Sequence, residues 1–112
     1  MNIKTEFSDK TLTAIIEGDI DHHTAKGIRE TIDLAVEEKN PSALTLDFGN
    51  VQFMDSSGIG LIMGRYRLMK LLNGNLELVN LPEHINRLIS LSGLFSLDII
   101  KNKGCEQIET RE

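Results

Sequence analysis

The sequence predicts an α/β domain: a mixed, mostly parallel sheet of about five strands, with helices packed against it. Three observations carry this. The first segment reads as two strands around a short polar turn. After it, strand-like and helix-like segments alternate, which is the pattern of parallel strands joined by crossover helices. The apolar spacing changes with each segment, from a period of two to one near 3.6. The 112 residues suit one domain, expected over residues 1–112.

The elements follow in order. "NIKTEF" and "TLTAIIEG" flank the turn "SDK" and form a hairpin. In "DIDHHTAKGIRETIDLAVEEKN", Ala25, Ile28, Ile32, Ala35 and Val36 recur at helical spacing, with Pro41 just beyond. "ALTLDFG" reads as a strand and "IGLIMGRYRLMKLLNG" as a helix stopped by Asn73-Gly74. "NLELV" is a strand, and "PEHINRLISLSG" a helix with Pro82 in its first turn and Gly93 at its end. "SLDII" is the fifth strand, and the tail "NKGCEQIETRE" a frayed helix. Crossovers between parallel strands should be right-handed. Loops leaving the C-terminal ends of parallel strands gather on one edge, where sites form. "GDIDHH" and "FMDSSG" both leave strands toward helices, so Asp21 and Ser57 are expected on the same edge.

Composition narrows the function. Hydrophobic residues make up 40% and charged residues 26%, as in ordinary globular domains. The net charge is -5 and no Lys/Arg run exceeds two residues, which argues against nucleic-acid binding. The one cysteine, Cys105, can form no internal disulfide and no two-Cys zinc site. The polar N-terminus is not a signal peptide, and no apolar run approaches membrane-spanning length. A cytoplasmic, monomeric protein without cofactor or metal is expected.

The chemistry concentrates in "FMDSSGIGLIMGRY", Phe53 to Tyr66. As a phosphate cradle it fails: Gly58 and Gly60 are followed by Met63 where a third glycine should stand, and Gly64 comes one residue late. The glycines are expected instead to let the helix approach another surface closely. As a nucleophile elbow it lacks the first glycine, and nothing ties His22, His23 or His84 to Ser57 as a base. An enzyme is not expected. As a helix start it fits well. Asp55, Ser56 or Ser57 would each serve as N-cap. A phosphate on Ser57 would then meet free N–H groups and the positive end of the helix dipole. Asp21 would cap the first long helix in the same way.

The blocks "GDIDHHTA", "FMDSSGIGLIMGRY" and "SGLF" together resemble the SpoIIAA-type anti-sigma factor antagonists, members of the STAS domain family. The resemblance runs along the whole chain and implies a STAS-like fold. It also implies a regulatory cycle. The unphosphorylated form binds an anti-sigma factor that is a serine kinase and frees the sigma factor, a transcription-regulating step of sporulation. The kinase inactivates it at the serine directly before glycine in D-S-S-G, here Ser57, and a protein phosphatase reverses this. Asp21 matches a family residue on the kinase-facing edge. Leu68 and Leu71 are more apolar than the resemblance implies. The alternatives are a STAS domain that binds a small ligand or nucleotide without a kinase partner, and a serine hydrolase.

On the helix after Ser57, apolar positions form two arcs at about 100° per residue. Leu61, Ile62, Met69 and Leu72 are expected on the sheet. Ile59, Met63 and Tyr66 are expected partly exposed, as the apolar centre of a partner surface rimmed by Arg67 and Lys70. With Asp21, Asp55, Ser56, Ser57 and Gly58 they complete the expected partner-binding set.

Overall fold

The computed structural model describes residues 3–94 and residue 99. The chain runs β1 (Ile3–Ser8), β2 (Thr11–Ile20), α1 (Ala25–Lys39), β3 (Ala43–Met54), α2 (Ser56–Leu71), β4 (Asn75–Val79) and α3 (Glu83–Ser92). The sheet order is β1-β2-β3-β4. β1 pairs antiparallel with β2, while β2, β3 and β4 are parallel. The expected hairpin is there: Asp9 and Lys10 both take positive φ, 52° and 65°. That is the two-residue reversal whose twist suits flanking strands.

The sheet has four strands among the described residues, not about five. The expected fifth strand, residues 96–100, lies outside the described residues except for Ile99. The carbonyl of Ile99 accepts a hydrogen bond from Leu78 N at 2.7 Å. One such bond is a single rung and not a ladder, so it adds no strand. The expected tail helix and Phe95 of the "SGLF" block also lie outside.

The core follows from register. Phe7, Leu12, Leu44 and Leu76 form one cross-strand row; Thr5, Ala14, Leu46 and Leu78 form the next on the same face. Leu12, Ala14, Leu44, Leu46, Leu76 and Leu78 are buried, against Ile28, Ile32 and Val36 of α1 and Leu61, Ile62 and Met69 of α2. Each of these side chains larger than alanine contributes about 1.5–3 kcal/mol by leaving water. The row between them, Glu6, Thr13, Thr45 and Glu77, points to the other face. The strands step in one direction through the sheet. Right-handed crossovers therefore put α1 and α2 on one face, side by side. α3 adds Ile85 and Ile89 to the same core.

β3 runs five residues past its expected end at Gly49, because two register shifts against β2 hide its alternation. Ile15 faces Asp47, but Glu17 faces Asn50, and Asp19 faces Phe53. β3 therefore spends two more residues than β2 over this span, and its buried residues change spacing to Phe48, Val51 and Met54. The bulges bring the strand ends level, so that Ile20 faces Met54.

Helix ends use the expected breakers with shifted roles. α2 closes in a Schellman motif: Gly74 N donates to Met69 O at 2.7 Å and Asn73 N to Lys70 O at 3.1 Å. Asn73 supplies the left-handed residue, with φ 61°. Gly74 serves packing. A Cβ there would lie 2.8 Å from the Ser42 carbonyl oxygen and 2.6 Å from Met69 Cε. Pro82 is the N-cap of α3, one position earlier than expected. No helix among the described residues is long and apolar enough to cross a membrane.

Gly74→Ala should lower the denaturation midpoint, at a cost of roughly 1–3 kcal/mol, since the loop backbone cannot yield to the added methyl. Gly64→Ala should instead be neutral or stabilising by up to about 1 kcal/mol. A Cβ at Gly64 meets nothing within 4 Å. Equal midpoints for the two variants would contradict this placement.

Candidate functional site

Parallel pairing of β2 and β3 delivers two turns to one edge of the sheet. Asp55 N donates to Ile20 O at 3.1 Å, joining them directly. The first turn is "DHHT". Asp21 Oδ1 accepts from His23 N at 2.8 Å and from Thr24 N at 3.1 Å, and Thr24 Oγ1 accepts from Asp21 N at 3.0 Å. These bonds form a reciprocal capping box, with threonine in the place usually held by glutamate. It caps a turn that leads into α1. Thr24, not Asp21, stands at the helix boundary itself and makes no side-chain cap bond of its own. Thr24 Oγ1 also donates to Asp19 O at 3.0 Å. The backbone bond from His23 holds the Asp21 carboxyl below its ordinary range, with smaller help from Thr24 N and the two histidines against partial desolvation. His22 and His23 are exposed, with ring centroids 4.0 Å apart.

The second turn opens α2. Asp55 is the N-cap: its Oδ1 accepts from Ser57 N at 2.7 Å, and its carbonyl accepts from Gly58 N at 2.9 Å. Among the three candidates for the cap, the aspartate fills it. The first-turn amides at 57 and 58 are therefore already occupied by Asp55. This corrects the expectation that they would be free to receive a phosphate on Ser57. Ser56 is exposed and Ser57 half-buried.

Gly58 is buried, and a Cβ there would overlap Met54 Cγ and Sδ at 2.3 Å. It acts by letting α2 start close against β3, not as a surface contact. Gly60 and Gly64 show the opposite. They sit within α2 but have open space where a Cβ would go, so close approach within this chain does not explain them.

α2 has three flanks. Gly58, Leu61, Ile62, Arg65 and Met69 are buried. Ile59, Met63 and Tyr66 are half-buried against the margin of the core, and Arg67 and Lys70 are exposed. Lys70 Nζ lies 5.6 Å from the centre of the Tyr66 ring. Leu72 corrects the expected packing: it is 46% exposed, because the helix ends at Leu71 and the Schellman turn carries Leu72 away from the sheet. The third flank faces α1 across a groove of about 430 Å³ lined by Ala25, Arg29, Ser57, Gly60, Leu61, Gly64 and Arg65.

Arg65 was not foreseen from the sequence. It is 6% exposed and sits among the buried apolar positions of α2. Arg65 Nε lies 3.0 Å from Asp33 Oδ1 of α1, out of line for a hydrogen bond. Arg65 Nη1 has no hydrogen-bond partner among the described residues. Burial pushes the guanidinium's pKa down, Asp33 pushes it back up, and neighbouring Arg29 lowers it further. The signal was available in the spacing. Arg65 falls four residues after Leu61 and four before Met69, in the apolar arc.

The fold is that of a known family. The STAS domain model matches residues 2–106. The chain belongs to the STAS domain family. This STAS domain is 34% identical over 97 residues to the anti-sigma F factor antagonist of Paenibacillus polymyxa, covering 87% of this chain and 83% of that protein. It is similar to the structure of the anti-sigma factor antagonist SpoIIAA in its unphosphorylated form, with a TM-score of 0.78, 25% identity and 96% of each chain covered. It is also similar to the Bacillus cell fate determinant SpoIIAA in the phosphorylated form, with a TM-score of 0.71, 28% identity and 89% of each chain covered.

Two outcomes check this site. Leu61→Ala should cost roughly 2–5 kcal/mol of stability, and Met63→Ala well under that, because only Leu61 leaves a cavity in the core. Reversed denaturation midpoints would show that the faces of α2 have been exchanged. The Asp21 carboxyl should titrate below an ordinary aspartate, followed by its side-chain carbon resonance. Since folding lowers this pKa, its contribution to stability is present above the unfolded value and is lost as pH falls through the folded value.

Proposed function

We propose that this chain is an anti-sigma factor antagonist of the SpoIIAA type, switched by phosphorylation of Ser57. The carrying observation is the position of Ser57. It is half-buried in the first turn of α2, with its amide tied to Asp55, on the sheet edge that also carries the Asp21 turn. The relatives and structural neighbours named above support the same reading.

The chain acts as one STAS domain in the cytoplasm, as a monomer when free. Its partner is an anti-sigma factor with serine kinase activity, and the unphosphorylated form binds it and releases the sigma factor. Ile59, Met63 and Tyr66 supply the apolar centre of the contact, on the flank of α2 that Ser56 begins, and Ser57 borders it at the helix start. Arg67 and Lys70 form the rim, and the Asp21 and Asp55 turns form the polar border. Interfaces favour aromatic residues and Met at such centres. Phosphorylation adds about -1.5 to -2 charge. It lands on an edge that already carries Asp19, Asp21 and Asp55, so a partner fitted to a neutral serine meets a bulky dianion. A phosphatase restores the binding form. The chain itself performs no catalysis in this cycle.

ATP and the cognate kinase should add one phosphate, mapped by mass spectrometry to Ser57 and absent in Ser57→Ala. Label on Ser56, or none, would refute the assignment. Met63→Ala should weaken binding of the kinase by roughly 1–2 kcal/mol in titration calorimetry. Asp21→Asn keeps the capping ability of the turn. It should lower kinase affinity without lowering the melting temperature, and unchanged affinity would remove Asp21 from the contact.

A further inference from the structure

The groove between α1 and α2 is not explained by partner binding through the opposite flank of α2. Ser57 stands at its mouth, Gly60 and Gly64 line it without side chains, and Arg29 and Arg65 line it from the two helices. Arg29 is close enough for its charge to lower the Arg65 pKa. Asp33 pairs with Arg65, and Arg29 adds a second cation to the lining. On a chain of net charge -5, this groove brings two cations beside a serine.

Arg65 cannot relieve this by reaching solvent. It is buried, and its Nη1 lacks a hydrogen-bond partner among the described residues. A buried donor left unmade is costly, and an anion entering the groove would relieve that cost. The glycines keep the space open. On α2, Ser57, Gly60, Leu61, Gly64 and Arg65 recur at three- and four-residue steps, so they share one flank. Arg65 reaches across to α1, where its Nε lies 3.0 Å from Asp33 Oδ1, so its charge stands in the wall of the groove that Ser57 also lines. Arg29 is exposed and stands one turn into α1, whose first residue, Ala25, lines the same groove as Ser57.

We propose that this groove is a phosphate site that captures the phosphate of Ser57 itself. The exposed guanidinium of Arg29 closes on the phosphate, and buried Arg65 supplies a fixed positive charge behind it. The amides of Ser57 and Gly58 are not the receptor, because Asp55 occupies both. The Asp55 carboxylate, being anionic, turns the phosphate away from the helix end and toward the groove. Arginine suits this role because its planar fork matches phosphate oxygens. Phosphorylation would then do more than add charge to the edge. It would tie α1 to α2 beside the partner surface. The inference rests on Ser57 as the modified residue.

The test installs phosphoserine at position 57 of the full chain by genetic encoding, so it does not depend on a kinase. Phosphorus NMR then follows the second ionisation of the phosphate. Free phosphoserine ionises at about 6. The wild-type chain should ionise lower by at least roughly half a unit, since nearby cations favour the dianion. Arg29→Gln should return the value toward that of free phosphoserine, and Arg29→Lys should restore part of the shift. Lys26→Gln, an exposed change on the same helix, should leave it unaltered. Equal values for wild type and Arg29→Gln would overturn the proposal. So would equal effects of the Lys26 and Arg29 changes, which would mean only diffuse charge. Inorganic phosphate that shifts the groove resonances of the unmodified chain as strongly as the attached group would also overturn it, in favour of a site for free anions. Failure of a kinase to modify Ser57 would count against the proposed function alone.

Discussion

The parallel pairing of β2 with β3 is the constraint on which the rest depends. Parallel strands end on the same side, so the turns that follow them must meet. Here the meeting is a single backbone bond, Asp55 N to Ile20 O. The two bulges in β3 make it possible by bringing strand ends of unequal length level. Without them, "DSSG" would begin out of step with "DHHT". Each turn is then stiffened by its own aspartate, which caps the turn it begins. The edge is thus preorganised by local bonds laid on a non-local register.

α2 carries the division of labour. One flank is committed to the core, one lies half-buried at its margin, and one looks across a groove at α1. A helix with a single apolar stripe could not do this. Its apolar residues are spread over two arcs, and its polar small residues occupy the third. The glycines separate by the same logic. Gly58 and Gly74 are pressed against neighbours at the two ends of the helix, while Gly60 and Gly64 keep a space open between them. Charge is distributed as unevenly: acids gather at the sheet edge, and two arginines face the groove beside it.

Much of this was legible beforehand. The hairpin, the alternation of strands and helices and the Asn73-Gly74 stop depend on local propensity and short-range pattern, and they hold. So does the shared edge, which needs only the assumption of parallel strands. Pro82 was misplaced by one position, within the normal uncertainty of helix ends. The far end of β3 was not legible, because a bulge breaks the period of two that announces a strand. Leu72 was put on the core by helical angle, but the helix has ended by then and the angle no longer applies. Arg65 was passed over because a charged residue in an apolar arc has meaning only when a partner on another helix is known.

By itself the sequence determined the order and kind of the elements through α3, that one of Asp55, Ser56 and Ser57 begins α2, and the family. These rest on interactions between residues a few positions apart. Tertiary structure alone decided that Gly60 and Gly64 border a groove and that Arg65 and Asp33 meet. Those facts depend on how closely α1 lies beside α2. That distance is set by side chains from both helices packing on one sheet, and no window of the sequence contains them all.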